Sequence, residues 1–349
     1  MNKVLICDLR IENNFYSHNI RDNERFTQYF TNIGYSASKL CLNRPKRHNF
    51  RYKKFLKFYD LIIKPPIKKN SIASQICGPN VLFFPSINFE DFHYLYWLLK
   101  AIKEKNEVNK VILRIISVDI ERFLGSKLRK TVISYAIHKI MGLGISVYFT
   151  VETKEAALYI QSQIGLKFEW LPTPINRSNV KRNESHLNLF LPGKPRMDKG
   201  SFQINSYKKI LENQQSSIQI ISQVIDSESG ENRNFMGLKI GLSDTDYERA
   251  IEAATWLFAP HILDSFRLRG SALLTDSLEN RIPLLARKGT SLGNFVDEFK
   301  IGLTFTDFSD FYSSVSKLEK DLSLDYREAF NSAISEINSR VKASLENCL

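Results

Sequence analysis

The sequence predicts an α/β protein of two consecutive domains, each a mostly parallel sheet with crossover helices, the two sheets facing a central cleft. Three observations carry that reading. Short apolar runs of strand length alternate with longer segments that are apolar at every third and fourth residue. The alternation stops once, at a proline-interrupted polar stretch, and then restarts. The chain has 349 residues, more than one ordinary hydrophobic core accommodates.

The first strand is KVLICDLRI, and its Cys7 reads as a small core residue. A polar loop, ENNFYSHNIRDN, follows, and ERFTQYFTNIG reads as a helix ending near Gly34. YDLIIK (59 to 64), NVLFFP (80 to 85), KVILRIIS (110 to 117) and ISVYFT (145 to 150) are further strands. DFHYLYWLLKAIKEK and SKLRKTVISYAIHKI are the helices between them, and His93 and His138, on apolar helix segments, are expected to be partly buried or interfacial rather than catalytic. LPTPINRSNVKRNESH (171 to 186) breaks the rhythm with two prolines followed by polar residues, which marks a domain boundary. The expected organisation is a first domain over 1–175, a linker over 176–186, a second domain over 187–330, and a C-terminal helix over 331–349 that packs back across the domains. In the second domain NLFLPG, IQIISQVI, LKIGL, TWLFAP, IPLLA and IGLTF read as strands. Helices centre on SYKKILEN, DYERAIEAA, SALLTDSLENR and SLGNFVDEF, and two more close the chain.

Composition bounds the function. At 43% hydrophobic the chain is not wholesale disordered, and its longest apolar runs fall far short of a bilayer span. MNKVLICDLR turns charged too soon for a signal peptide, so the expected location is the cytosol. Cys7, Cys41, Cys77 and Cys348 are scattered, without CxxC pairs, and the six histidines show no metal-ligand spacing, so no metal is expected. GxxxxGK[ST], a convincing GxGxxG after the first strand, and GxSxG are all missing, which argues against phosphate-loop NTPases, standard dinucleotide enzymes and serine hydrolases of that type. The net charge of +12 is one-sided. Residues 1 to 175 hold 27 Lys or Arg against 14 Asp or Glu, whereas the remainder is nearly neutral. Eleven of the basic residues lie between Lys39 and Lys69, with Asp60 the single acid there, and this tract suits an anionic partner.

Two stretches of the second domain carry chemistry. NLFLPG runs into KPRMDKG, which places Lys194, Arg196 and Lys199 just past a strand end, where a planar guanidinium and a point-charge ammonium can neutralise a diphosphate. In RLRGSALLTDSLENRIPLLARKGT, Gly270 and Ser271 precede an apolar helix whose first N–H groups can receive phosphate oxygens. Asp276, inside that helix, can accept from ribose hydroxyls or face solvent; spacing alone leaves both open.

The order of these stretches resembles glycosyltransferases of the two-Rossmann-domain (GT-B) type, particularly the large retaining family of bacterial polysaccharide and glycolipid enzymes. LPGKPRMDKG resembles the family's glycine, basic residue, acid-lysine-glycine turn, and TWLFAP with RLRGSALLTDSLENRIPLLARKGTSLGNFVDEFKIGLTF resembles its donor-binding region. ISVYFTVETKEAALYIQSQIGLKFEWLPTPI resembles the segment that ends the first domain. The resemblance implies a hexosyl transfer with retention from a nucleoside-diphosphate-sugar donor, without a further cofactor. Arg196 and Lys199 would contact the diphosphate, while Gly193, Gly270, Ser271 and Ala272 would line it. Asp276 would stand where the family has a ribose-holding glutamate. Leu268 stands near the place of the family's first carboxylate, which a subset with an arginine-glycine-serine turn also lacks, and Arg281 replaces a usually small residue before an apolar strand.

On the acceptor side, Asn14, Tyr16 and His18 follow the first strand and suit a glycan or lipid-linked acceptor. Phe50, Tyr52, Phe55 and Phe58 interleave the basic tract, which fits peripheral contact with the cytoplasmic face of an anionic membrane. Nucleic acid is the competing partner, disfavoured because it leaves the Gly270 to Asp276 turn and helix unexplained. A catalytically weakened assembly partner with the transferase fold is the other alternative, motivated by Arg281.

Overall fold

A computed structural model of the chain describes residues 2–11, 17–44, 76, 78–104, 108–116, 120–176, 187–193, 195–223, 237–238, 244–320 and 325–349. These form two compact units, Met1–Pro174 with Ser339–Leu349, and Ile175–Asn338.

The first unit runs β1 (Lys3–Ile11), α1 (Ser17–Asn32), β2 (Ser36–Arg44), β3 (Val81–Ile87), α2 (Phe92–Lys103), β4 (Lys110–Ile115), α3 (Ile120–Leu124), α4 (Lys127–Met141), β5 (Ser146–Val151), α5 (Lys154–Ile164) and β6 (Glu169–Trp170). Its strands form one parallel sheet in the order β2-β1-β3-β4-β5-β6. Strands flanked by helices on both faces must be apolar throughout, and the first five residues of β3, Val81 to Pro85, are all buried. Pro85 cannot donate to a ladder, and the β3–β4 register shifts between Phe84 and Ile87. The Pro85 carbonyl instead accepts from Arg114, a fully buried side chain that also donates to the Leu171 carbonyl and to Thr173 Oγ1 and lies 3.6 Å from Asp22. One guanidinium thereby ties the carboxyl ends of several strands.

Two sequence expectations change here. The polar segment SHNIRDN is not loop; it is the first part of α1. Its inward face includes Asn23, whose amide donates to Asp8 Oδ2 at 3.0 Å, and the polar residue hides the repeat that Phe26 and Phe30 continue. His18 is therefore a first-turn helix residue rather than a loop residue. SASKLCLNR, read only as the start of the basic tract, is an edge strand with Leu42 buried and Lys39 exposed beside Glu24. Asn14, Tyr16, the side chain of His18, the tract from residue 45 to 69 and the strand expected at 59–64 lie outside the described residues. His138 is exposed, its Nδ1 2.6 Å from the Ser134 carbonyl, and the side chain of His93 lies outside the described residues. Cys7 is in the core, where burial pushes its thiol well above the usual range.

The second unit runs β7 (Asn188–Leu191), α6 (Ile204–Asn213), β8 (Gln219–Gln223), β9 (Gly237–Leu238), α7 (Asp244–Glu252), β10 (Trp256–Ala259), α8 (Leu263–Phe266), α9 (Ala272–Asn280), β11 (Leu284–Arg287), α10 (Ser291–Phe299), β12 (Gly302–Phe305) and α11 (Phe308–Lys320). Its parallel sheet has the order β12-β11-β10-β7-β8-β9. Leu189, Leu191, Tyr207, Trp256, Phe258, Leu285, Phe305 and Phe311 form its core, each such burial contributing about 1.5–3 kcal/mol. The last helix, α12 (Arg327–Cys348), starts in this unit, where Asn338 exchanges two hydrogen bonds with the Ile175 backbone. Its final turns belong to the first unit: Val341, Leu345 and Cys348 join the core of Phe26, Phe30 and Phe83, and Ser344 Oγ donates to the Trp170 carbonyl. Among the described residues no helix is long and apolar enough to cross a membrane.

The strand order locates the crevice of the second sheet. From β7 the chain builds outward through β8 and β9, then returns to the other side of β7 with β10, β11 and β12. The carboxyl ends of β7 and β10 therefore flank a topological switch point, where open α/β sheets leave room for a ligand.

Candidate functional site

Both segments singled out in the sequence converge on that switch point. After β7 the chain turns at Gly193, whose φ of +92° suits glycine, and a Cβ there would lie 2.7 Å from Lys199 Nζ. Arg196, in extended conformation, precedes a short 3₁₀ turn over Met197–Lys199, and Ser201 Oγ accepts from its N–H. Gly200 is required twice: its φ is +73°, and a Cβ would meet the Pro260 carbonyl oxygen at 2.1 Å. The turn is thus pressed onto the end of β10, and the Ile262 N–H donates to the Asp198 carbonyl at 2.9 Å to fasten it.

The charged groups form one cluster. Arg196 donates to both oxygens of Asp198, at 3.0 and 2.8 Å, and Arg269 donates to Asp198 Oδ2 at 3.0 Å. Lys199 is close enough that burial first, and then Arg196 and Arg269, lower its ammonium to about 8 against the opposing pull of Asp198 and Asp276. Arg269 also lies over Phe266, 4.8 Å from the ring centroid, and His261 stacks on the same ring at 4.0 Å. His261 is fully buried, neither ring nitrogen has a hydrogen-bond partner among the described residues, and burial, then Lys199, Arg269 and Arg196, hold it well below 6.5. The imidazole is neutral because burial penalises its charged form and a further cation there would face three others.

The helix α9 begins three residues after Arg269. Ser271 is its N-cap, with φ −134° and a hydroxyl accepting from Leu273 N–H, and Ala272 is the first helical residue. Gly270 and Ser271 therefore stand at a helix N-terminus, which favours anions. The Arg269 backbone is held by the Ser291 hydroxyl of α10, which donates to its carbonyl. Asp276 does not face solvent: it is 5% exposed and Tyr247 OH donates to its Oδ2 at 2.7 Å. Arg281 closes α9 in the left-handed region with φ 52° and donates to Asn331 Oδ1 at 2.8 Å. It therefore lies at the opposite end of the helix from Ser271, where a cation complements the helix dipole.

Arg196, Lys199, Gly193, Gly270, Ser271, Ala272 and Asp276 are thus held in one region of the second unit. Sequence reasoning assigned no site role to Asp198, Arg269, His261 or Tyr247. Position alone marks His261, since it follows the apolar run WLFAP at a strand's carboxyl end. Arg269 stands in the arginine-glycine-serine turn, but no local pattern gives its partner Asp198, 71 residues away, and none marks Tyr247, whose partner is 29 residues away. What the cluster can do chemically is bind a multiply charged anion: among the described residues, which do not include Lys194, three cations outnumber two carboxylates beside a helix N-terminus.

No protein-family model matches the sequence, and no curated protein matches it. Solved structures do match in fold. The glycotransferase of kitacinnamycin is 9% identical with a TM-score of 0.58, over 100% of this chain and 99% of that one. Sucrose-phosphate synthase from Thermosynechococcus elongatus is 11% identical with a TM-score of 0.60, over 97% and 94%. An E. coli trehalose-6-phosphate structure bound with UDP-2-fluoro glucose is 9% identical with a TM-score of 0.58, over 99% and 96%. With its two parallel sheets and a match that spans nearly every residue, this chain has the two-Rossmann-domain fold of GT-B glycosyltransferases.

Proposed function

We propose that the chain is a glycosyltransferase that moves a hexosyl group, with retention, from a nucleoside-diphosphate-sugar donor to a glycan or lipid-linked acceptor at the cytoplasmic face of a membrane. The observation that carries the donor half is the cluster of Arg196, Arg269 and Lys199 around Asp198, with Arg269 two residues before the N-cap Ser271 of α9. The fold neighbour bound with UDP-2-fluoro glucose supports the same donor class. The acceptor, the membrane contact and the retained configuration rest on the resemblance and on the basic first-domain tract.

The chemistry follows from charge. The bond between the anomeric carbon and the leaving diphosphate oxygen breaks, the carbon becomes cationic, and the diphosphate takes the electron pair. The acceptor hydroxyl then bonds to that carbon and releases its proton. Fixed cations and N–H groups directed at the leaving oxygens lower the barrier because they already point where charge develops. Arg196 and Lys199 carry this role, Gly270, Ser271 and Ala272 offer backbone beside the diphosphate, and Asp276 receives ribose hydroxyls.

The test is release of nucleoside diphosphate from a panel of donors by the purified protein. Arg196→Ala and Lys199→Ala each keep a cooperative unfolding transition and lose most transfer. Unchanged activity in both would remove them from the reaction.

A further inference from the structure

In the first unit the strands β3, β4, β5 and β6 are neighbours in chain order, so right-handed crossovers lay α2, α4 and α5 side by side on one face of the sheet, with α4 packed against both. An outer helix of such a layer ordinarily turns apolar residues to the sheet and polar ones to water. α4 keeps the first half of that rule, with Ile133, Ala136, Ile137 and Ile140 buried, and breaks the second. Leu128 is 60% exposed and Tyr135 is 45% exposed. With partly buried Val132 and exposed Lys139 they form one row at i, i+4, i+7 and i+11, turned away from the buried residues. Among the described residues of the first unit, the exposed large apolar side chains are Ile33, Leu128, Tyr135, Met141 and Leu158, and all but Ile33 lie on α4 or on α5 beside it. Charge is equally one-sided there. No acidic residue occurs from Ser126 to Thr150, whereas Lys127, Arg129, Lys130 and Lys139 do. Three of these cations stand at the N-terminal end of α4, where the helix dipole disfavours them, so helix stability does not account for their placement.

We propose that the outward face of α4 is a docking surface for an anionic lipid bilayer, with Leu128, Val132 and Tyr135 entering the interface while Lys127, Lys130 and Lys139 reach lipid phosphates. It rests on the reading that the acceptor is met at a membrane, and it assigns that contact to a helix distinct from the basic tract. A tyrosine suits the headgroup level because its ring is apolar and its hydroxyl polar. The Lys139 ammonium lies over the Tyr135 ring, 5.4 Å from its centroid, so the two side chains present charge and apolar area together. Lysine stems lie along apolar surface while their charges stay among phosphates. A second copy of the chain does not fit, because a two-fold contact through this face would set cations against the same cations. One short apolar row also falls well below the ~800 Å² per partner that a stable protein complex buries, whereas a bilayer adds attraction from every nearby cation.

The experiment measures sedimentation of the full chain with vesicles of phosphatidylcholine alone or with ~30% phosphatidylglycerol, and thermal unfolding in parallel. The wild-type chain binds the anionic vesicles, less so as salt rises, and leaves the zwitterionic ones. Leu128→Ser with Tyr135→Ser weakens binding ~10-fold, and Lys127→Glu with Lys139→Glu weakens it at least as much. Both pairs are exposed, so the unfolding midpoint changes little. Lys53→Glu with Lys54→Glu tests the basic tract: a loss there beside the α4 losses adds the tract to the surface and leaves the proposal standing. If only the tract pair loses affinity, the α4 proposal falls and membrane contact stands. If the serine pair binds as the wild-type chain does, the apolar row does not dock and the proposal is overturned. If the wild-type chain binds neither vesicle, α4 docking and membrane contact both fall. Release of nucleoside diphosphate without vesicles reads the transferase proposal separately, and the α4 pairs leave it unchanged.

Discussion

Arg269 donates to Asp198 Oδ2 at 3.0 Å, joining the turn after β7 to the segment that opens α9 across 71 residues of sequence. The same carboxylate receives the Arg196 fork, so one acid aligns two guanidiniums that would otherwise repel. Asp198→Asn is expected to keep the fold, since the group is partly solvated, and to lower kcat/KM for donor by ~10–100-fold through misaligned arginines. Arg269→Ala should do the same. The double variant Asp198→Asn with Arg269→Ala should be no worse than the poorer single one, which steady-state kinetics on the three proteins checks.

Lys199 makes donor affinity depend on pH. Burial lowers its ammonium from 10.5 to about 8, so the native protein loses this proton as pH rises through about 8, whereas the unfolded chain keeps it until near 10.5. Between those values the unfolded state binds more protons, so this group makes the fold more stable with rising pH, while the diphosphate site loses a cation. Nucleoside diphosphate binding should therefore weaken from pH 7 to pH 9 and be accompanied by proton uptake near pH 8. Lys199→Arg, charged throughout, should flatten the profile. Calorimetry in buffers of different ionisation enthalpy reads both effects.

Two glycines in this turn share a positive φ and differ in what a Cβ would meet. In Gly200→Ala the new Cβ meets a backbone oxygen at 2.1 Å at a φ of +73°, so neither neighbour nor dihedral can accommodate it cheaply. A loss of at least ~2 kcal/mol in the stability of the second unit is expected. Gly193→Ala carries the strain of a φ of +92°, but its Cβ meets only the far end of Lys199, which can swing aside. That variant should be milder in stability than Gly200→Ala and act mainly on donor affinity, as chemical denaturation and calorimetry would show.

What the sequence made legible follows from how local each cause is. β3, β7 and β10 are read from continuous apolar runs because strands covered on both faces have no polar side to hide. β2 was obscured because its edge position tolerates Lys39, and the start of α1 because Asn23 faces inward to Asp8. Ser271 is legible as a cap from its place before an apolar helix, and Arg196 and Lys199 from the turn that follows β7. The partners that give those residues their electrostatics are not. Arg269, His261 and Tyr247 reach the site through the return of β10 beside β7, a contact set by topology and carried by no short-range pattern.

His261 offers the sharpest separation of shape from charge. The ring is fully buried, flat against Phe266, and both nitrogens lack partners among the described residues. Its pKa is well below 6.5 in the native state, so as pH falls below 6.5 the unfolded chain takes up a proton that the native chain refuses. The unfolded state then binds more protons, and stability drops with falling pH until the native pKa is reached. His261→Phe keeps the stack on Phe266, removes two unpartnered polar atoms, and removes this titration. It should therefore be at least as stable as the wild-type chain at pH 7 and lose less stability between pH 6.5 and pH 5. His261→Ala, which abolishes the stack and opens a cavity, should be less stable at every pH by ~2 kcal/mol or more and should loosen Phe266 beneath Arg269. Denaturation midpoints of the three proteins at pH 5, 6 and 7 decide it: a His261→Phe variant as unstable as His261→Ala would mean that the nitrogens, not the ring face, hold this residue in place.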